Sequence, residues 1–362
     1  MSTLLASPRL AFLKKDSYMA RLVIVFLLLL IFFAAVRPGP FFAVRTWQSM
    51  AVQFPEFGLM SLGVMFTMFT AGIDLSVVAI ANVASICAAL TLRATLPSAV
   101  TPSSMLFATL TALGVALVVG LVCGLINGLL VAVLKIPPIL ATLGTLELFG
   151  GVALILTQGK PVSGVPAAFG AAFTGKVPEA FGAVFSARVV GLVPVPLVVF
   201  LVCALIAGII VACTSFGTTI LMLGTNDTAA RFSGLKVTSL LIRTYVLSGV
   251  MAAMAGIVML ANYNSAKADH GASYTLLTVL IVVLGGVNPN GGSGRLSGVL
   301  LSILMLQVLS SGLNMFPAIS NFYRPLIWGG VLLLVICMNE GLFSLGRTRH
   351  LTKGPNNADS QG

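Results

Sequence analysis

A site for catalysis or ion coupling needs titratable groups brought together, and this chain offers few inside its apolar sequence. Asp74, Glu147 and Arg243 are the main ionisable residues within or beside the apolar runs. Glu147 reads as the carboxylate set well inside a run. A charge at that depth in hydrocarbon is costly, so Glu147 is expected to face a bundle interior and to bond Thr or Asn side chains. Asp74 stands in Gly72-Ile73-Asp74-Leu75-Ser76. There Gly72 can break one helix and Asp74 can cap the next by accepting backbone N–H bonds. A proton- or ion-coupled carrier carries buried acids that titrate or coordinate the ion. Their scarcity argues against that class, and an ion-coupled secondary transporter of a small polar solute is the alternative reading. The motifs G-x-x-x-x-G-K-[ST], H-E-x-x-H and G-x-S-x-G are missing, so no nucleotide loop, zinc helix or nucleophile elbow is expected. The histidines are His270 and His350, and the five cysteines lie in apolar runs without C-x-x-C spacing. These thiols read as buried and inert. The chain is expected to be no enzyme and to hold no metal or cofactor.

One segment differs chemically from its surroundings. Phe216 to Lys236, FGTTILMLGTNDTAARFSGLK, is too polar for lipid and too long for a tight turn. Asn226-Asp227 reads as a helix start, Thr228 to Phe232 as a short helix, and Gly234 as its stop. A short polar helix between spans is a docking knob for a partner.

Composition fixes what must position these residues. Of 362 residues, 58% are hydrophobic and only 8% charged, against about 25% charged in soluble domains. The mean hydropathy is +1.08. A solvated surface cannot be built from this, which excludes a soluble enzyme and a disordered chain. The net charge of +11 comes without a run of five basic residues, so it reads as loop anchoring in a membrane rather than nucleic-acid binding. Ten apolar runs are separated by Gly, Pro and charge: Leu22–Val36, Phe57–Ile73, Leu75–Leu92, Met105–Leu134, Ile136–Thr157, Val189–Cys213, Thr244–Ala261, Gly271–Val287, Leu296–Ile319 and Pro325–Met338. The expected fold is an all-α polytopic membrane protein of about ten transmembrane helices. Residues 1–21 and 341–362 are expected to form terminal tails around a 22–340 transmembrane domain, with long loops at about 158–188 and 214–243.

An even number of spans puts both termini on one side. If that side is the cytoplasm, twelve basic residues lie inside: Arg9, Lys14, Lys15, Arg21, Lys135, Arg231, Lys236, Arg243, Arg295, Arg347, Arg349 and Lys353. Eight lie outside: Arg37, Arg45, Arg93, Lys160, Lys176, Arg188, Lys267 and Arg324. The bias favours cytoplasmic termini. The first run is 15 residues, a length shared with signal-peptide cores, and is read as a retained first span. Small residues recur every fourth position at Gly120/Gly124/Gly128, Ala204/Gly208/Ala212, Ser248/Ala252/Gly256 and Gly294/Gly298/Ser302. Such stripes let helices pack closely in lipid.

Five segments, in order, resemble the ribose-type sugar permeases of ATP-binding cassette importers. Gly72-Ile73-Asp74-Leu75-Ser76 is one. Asn127-Gly128 with Lys135-Ile136-Pro137-Pro138, and then Thr142-Leu143-Gly144-Thr145, are two more. The fourth runs from Gly224 through Asn226, Asp227, Ala229, Ala230, Arg231 and Ser233 to Gly234. The last is Leu284-Gly285-Gly286 with Gly291-Gly292-Ser293-Gly294. The similarity spans about Phe57 to Glu340. It implies a bacterial inner-membrane permease that works as a pair with a second permease copy. Its other partners would be ATP-hydrolysing subunits, which use the ATP, and a periplasmic sugar-binding protein. Gly224–Gly234 would be the ATPase-coupling loop, and Asp74, Asn127 and Glu147 polar groups on or near the pathway. Nucleoside and branched-chain amino-acid permeases are more distant relatives of the same kind. The chain departs from the family's usual residues at Val78, Glu147 and Gly150, and is more charged at Ser265–His270.

Overall fold

The protein is described by a computed structural model covering residues 17–95, 102–163, 194–316, 323 and 326–330. Among the described residues these helices follow one another: α1 (Ser17–Val36), α2 (Pro38–Phe42), α3 (Val44–Phe69), α4 (Val77–Thr95), α5 (Pro102–Ala132), α6 (Pro138–Thr157), α7 (Val195–Cys213), α8 (Ser215–Thr225), α9 (Asp227–Phe232), α10 (Val237–Tyr263), α11 (Tyr274–Leu284) and α12 (Leu296–Leu313). Among the described residues eight helices are long and apolar enough to cross a membrane: α1, α3, α4, α5, α6, α7, α10 and α12. The run at 271–287 forms only α11, of eleven residues. At 1.5 Å per residue that is about 16 Å, too short to span alone. Most of the 325–338 run, residues 1–16, the 341–362 tail and most of the 158–188 loop lie outside the described residues, and residues 17–21 of the expected N-terminal tail belong to α1.

The layering follows from hydrophobicity around each helix. From Phe54 to Thr70 every residue of α3 and its cap is buried, as expected of a helix apolar on all sides and sheathed by others. The 27-residue α10 packs against α3, α4 and α5. Outside this centre, α6 rests on α4 and α5, α7 on α3, and α1 on α12. α1, α6 and α7 keep most of their apolar surface exposed. Local sequence sets the ends. Pro138 and Pro196 occupy first-turn positions of α6 and α7, where the missing N–H costs nothing. Gln158 and Asn264 close α6 and α10 in the left-handed conformation.

The Gly120/Gly124/Gly128 stripe of α5 lies on the backbone of α10 at Gly249, Tyr245–Val246 and Ile242. Gly249 in turn meets the Gly120 carbonyl. Lipid supplies no hydrophobic drive between helices, so this backbone approach and its van der Waals contact must hold the pair. Gly256 reaches Ala81 of α4 in the same way. Gly249→Leu should therefore separate α5 from α10. We expect a large fall in the detergent melting temperature or loss of monodisperse protein. Gly114→Ala, on α5 but touching nothing among the described residues, should be neutral or stabilising by up to about 1 kcal/mol. Equal effects of the two changes would show that the seam does not hold the bundle.

Candidate functional site

The turn between α3 and α4 is a buried polar junction. Thr67 carbonyl ends α3 by accepting from Gly72 N–H at 3.0 Å, and Ala71 takes φ 60. Asp74, fully buried, accepts from the Ser76 amide at 3.0 Å and the Ser76 hydroxyl at 2.6 Å on one oxygen. Its other oxygen accepts from Ser248 of α10 at 2.8 Å. Asn127 of α5 donates to the Ser76 hydroxyl at 2.7 Å. The hydroxyl of Thr142, in α6, lies 2.9 Å from the Ile73 carbonyl. Three spans, α5, α6 and α10, thus bond the Ile73–Ser76 stretch of the turn that joins α3 to α4. Asp74 does accept a backbone N–H, but that of Ser76, which precedes the helix. The first bond of α4 runs from Ile80 N–H to the Ser76 carbonyl. The Tyr245 hydroxyl is buried beside Gly72 with no hydrogen-bond partner.

Three backbone segments meet just below this turn. Gly292 N–H donates to the Phe69 carbonyl at 3.1 Å. Gly224 lies against both Phe69 and Gly292, and Gly291 against Ala71. The end of α3, the end of α8 and the glycine loop before α12 are therefore in direct main-chain contact, and a side chain at Gly224 has no room.

From Gly224 the chain enters the polar knob. The Asn226 side chain caps α9 by accepting from Ala229 N–H at 2.9 Å. Gly234, at φ 79, ends it, with Gly234 N–H bonded to the Arg231 carbonyl. Arg231 and Asp227 pair at 2.9 Å on the surface, a contact of little energetic weight. The two alanines differ. Ala229 is exposed, whereas Ala230 is buried with Leu223 and Val237. Ala230 is thus a packing residue that seats α9 on α10 rather than part of the outward surface. Phe232 is 89% exposed, more than any other large hydrophobic among the described residues. Beside it opens a cavity of about 670 Å³ lined by Arg231, Lys236 and Arg243. Sequence reasoning passed over Phe232, although a lone aromatic in an otherwise polar segment was the available signal.

Two expectations about carboxylates are corrected. Glu147 does not face the interior: it is exposed on α6, while Thr142, Thr145 and Phe149 take the buried face. The helix period puts residue 147 opposite that face, and the polar partners available there already bond elsewhere. Nor is Glu147 alone inside a span. Glu56 lies within α3 and is 1% exposed. It accepts from Asn262 at 2.7 Å and from the hydroxyls of Tyr263 at 3.0 Å and Tyr274 at 3.4 Å. The expected apolar run is Phe57–Ile73, but α3 runs from Val44 to Phe69 and continues through Pro55. The apolar spacing Trp47, Met50, Phe54 was the signal of a longer helix. In the adjoining 264–273 loop, burial and Lys267 push the His270 imidazole below its ordinary range, with Asp269 opposing.

Residues 47–336 match the family described as branched-chain amino acid transport system / permease component. The chain is 34% identical over 283 residues to the ribose import permease protein RbsC of Bacillus subtilis, covering 78% of this chain and 81% of that one. It is also 34% identical over 295 residues to the autoinducer 2 import system permease protein LsrD of Yersinia enterocolitica, covering 81% and 82%. No solved structure matches it significantly.

The Asp74 network yields a direct test. Asp74→Ala leaves three donors without their acceptor, at about 1–3 kcal/mol for each buried unpaired group. Asp74→Asn keeps an acceptor oxygen and should lose clearly less, and Ser248→Ala about 1 kcal/mol. Thermal unfolding in detergent should rank them in that order. Indistinguishable Asp74→Ala and Asp74→Asn proteins would mean the turn does not depend on these bonds.

Proposed function

The chain belongs to the permease-component family of branched-chain amino acid transport systems, and on that premise we propose that it is the membrane subunit of an ATP-binding cassette importer for a sugar or sugar-like polyol. The sugar class is favoured by the ribose and autoinducer 2 permeases among its relatives. In this reading separate ATPase subunits bind and hydrolyse ATP, and this chain carries no nucleotide site of its own. A periplasmic binding protein delivers the solute, and a second permease copy completes the path. The chain sits in the bacterial cytoplasmic membrane with about ten spans, both termini inside, and residues 158–188 outside. The twelve-to-eight basic split supports that orientation. Cysteine placed at Ala171 should be labelled from the periplasmic face; labelling only from the cytoplasm overturns it.

The observation that carries the mechanism is the α9 knob. A six-residue capped helix presents an exposed Phe232 and exposed Ala229, flanked by a basic cavity. An aromatic side chain held clear of its own protein suits a partner's apolar slot, and Arg231, Lys236 and Arg243 suit an acidic rim. Force applied at α9 has a short route inward, since Gly224 touches Phe69 and Gly292 by main chain and Phe69 leads into the Asp74 turn. Asp74 and Asn127 act in this reading as the buried anchor of that turn. Phe232→Ala should weaken co-purification of the ATPase subunit by about thirtyfold, from about 2 kcal/mol of lost burial. Ala229→Glu should block docking and solute-stimulated ATP hydrolysis while leaving the melting temperature within the wild-type range. If both variants keep wild-type ATPase binding, the partner docks elsewhere.

A further inference from the structure

Glu147 sits midway along the 20-residue α6, with its carboxylate exposed. Beside it Gly144, Gly150 and Gly151 lie three and four residues away, and a Cβ at any of them would touch nothing among the described residues. Contrast Gly120, Gly124 and Gly128 of α5 and Gly249 and Gly256 of α10, each pressed against a neighbouring backbone. Glycine disfavours a helix by about 1 kcal/mol relative to alanine, and here no contact among the described residues offsets it. Leu140, Leu143 and Leu154 continue the open face. At its C-terminal end α6 borders a cavity of about 260 Å³ lined by Leu154, Thr157, Lys160, Lys267 and Asp269.

Three environments could cover such a face. Lipid is disfavoured, because a carboxylate at mid-span is costly in hydrocarbon. A dry seam against the same face of a second copy would bring two like charges together at low dielectric. A watery channel satisfies the carboxylate, leaves a use for the empty space over the glycines, and joins the polar cavity at the helix end. We propose that the Gly144–Glu147–Gly151 face of α6 lines the solute path and that Glu147 selects there against anionic solutes. A neutral polyhydroxylated solute can donate hydroxyl hydrogen bonds to the carboxylate, whereas a sugar acid or sugar phosphate meets a like charge. This rests on the import reading for its solute but not for its electrostatics.

The test uses charged thiol reagents on the full chain in membranes. Cysteine is placed one turn away by Leu143→Cys, with Gly151→Cys as a second site, and labelling is read above the background of the unsubstituted chain. At about 6 Å in water-like surroundings, one negative charge should favour a cationic over an anionic methanethiosulfonate of similar size by about tenfold. Adding Glu147→Gln should bring the ratio to about one. No labelling at either site, or equal rates with Glu147 present, overturns the proposal. The import reading is judged separately, by ATP-dependent ribose uptake into vesicles carrying the ATPase subunits and the binding protein. Its failure leaves the labelling result standing. Where uptake is present, Glu147→Gln should reduce the exclusion of ribose 5-phosphate as a competitor, and unchanged exclusion also counts against the proposal.

Discussion

Helices in lipid gain nothing from hiding apolar surface from one another, so contact must come from shape and from polar bonds that lipid cannot offer. In this protein that constraint concentrates on α10. Its Gly249 and Gly256 bring it to main-chain distance from α5 and α4, and it also packs along α3. Because α10 lies that close, Ser248 can reach Asp74, and Asn262 and Tyr263 can reach Glu56. A wider seam would take Ser248 from Asp74, and Asn262 and Tyr263 from Glu56. The small residues and the buried acids are therefore one arrangement, in which backbone proximity makes the polar bonds affordable.

The two acids divide the work along α10. The Glu56 cluster ties its C-terminal end to α3 and α11 through Asn262, Tyr263 and Tyr274. The Asp74 cluster ties its middle to the α3–α4 turn and, through Ser76 and Asn127, to α5. The α3–α4 turn is in main-chain reach of the glycine loop at Gly291–Gly292, and that loop of Gly224. A displacement of the α8–α9 knob meets main chain directly at this junction, since Gly224 lies against the backbone of Phe69 and Gly292 with no side chain of its own to rearrange. It must pass into α3 or into the glycine loop. The rigid centre and the exposed knob thus belong to one mechanical path.

Much was legible without coordinates. Composition alone required a membrane protein, and the apolar runs gave six of the eight described spans close to their observed extent, since a 20-residue apolar stretch has few other solutions in lipid; α10 starts at Val237, inside the expected 214–243 loop. The α9 start at Asn226 and stop at Gly234 were local capping chemistry, written within a few residues. The stripe at Gly120, Gly124 and Gly128 announced a close seam, but not its partner. What local sequence misjudged was α3, whose expected run is Phe57–Ile73 although the helix starts at Val44. Pro55 inside it forfeits one backbone bond, and the surrounding helices keep the rest.

Direction was decided only in three dimensions. Sequence spacing says which residues share a helix face, but not whether that face meets protein. Glu147 and Asp74 looked alike as acids beside threonines, glycines and apolar residues. Asp74 became a buried acceptor because α10 delivers Ser248 to it across 174 residues, while α5 delivers Asn127 to the neighbouring Ser76 hydroxyl across 51. Glu147 was left facing outward because α6 packs on α4 and α5 with its opposite side. Ala229 and Ala230 are identical and adjacent, yet one is surface and the other core, by a rotation of one residue on α9. The sequence determined the medium, the helices and their caps, which depend on near neighbours. The partners of each polar group depend on which helices come to lie side by side, and only the tertiary packing decides that.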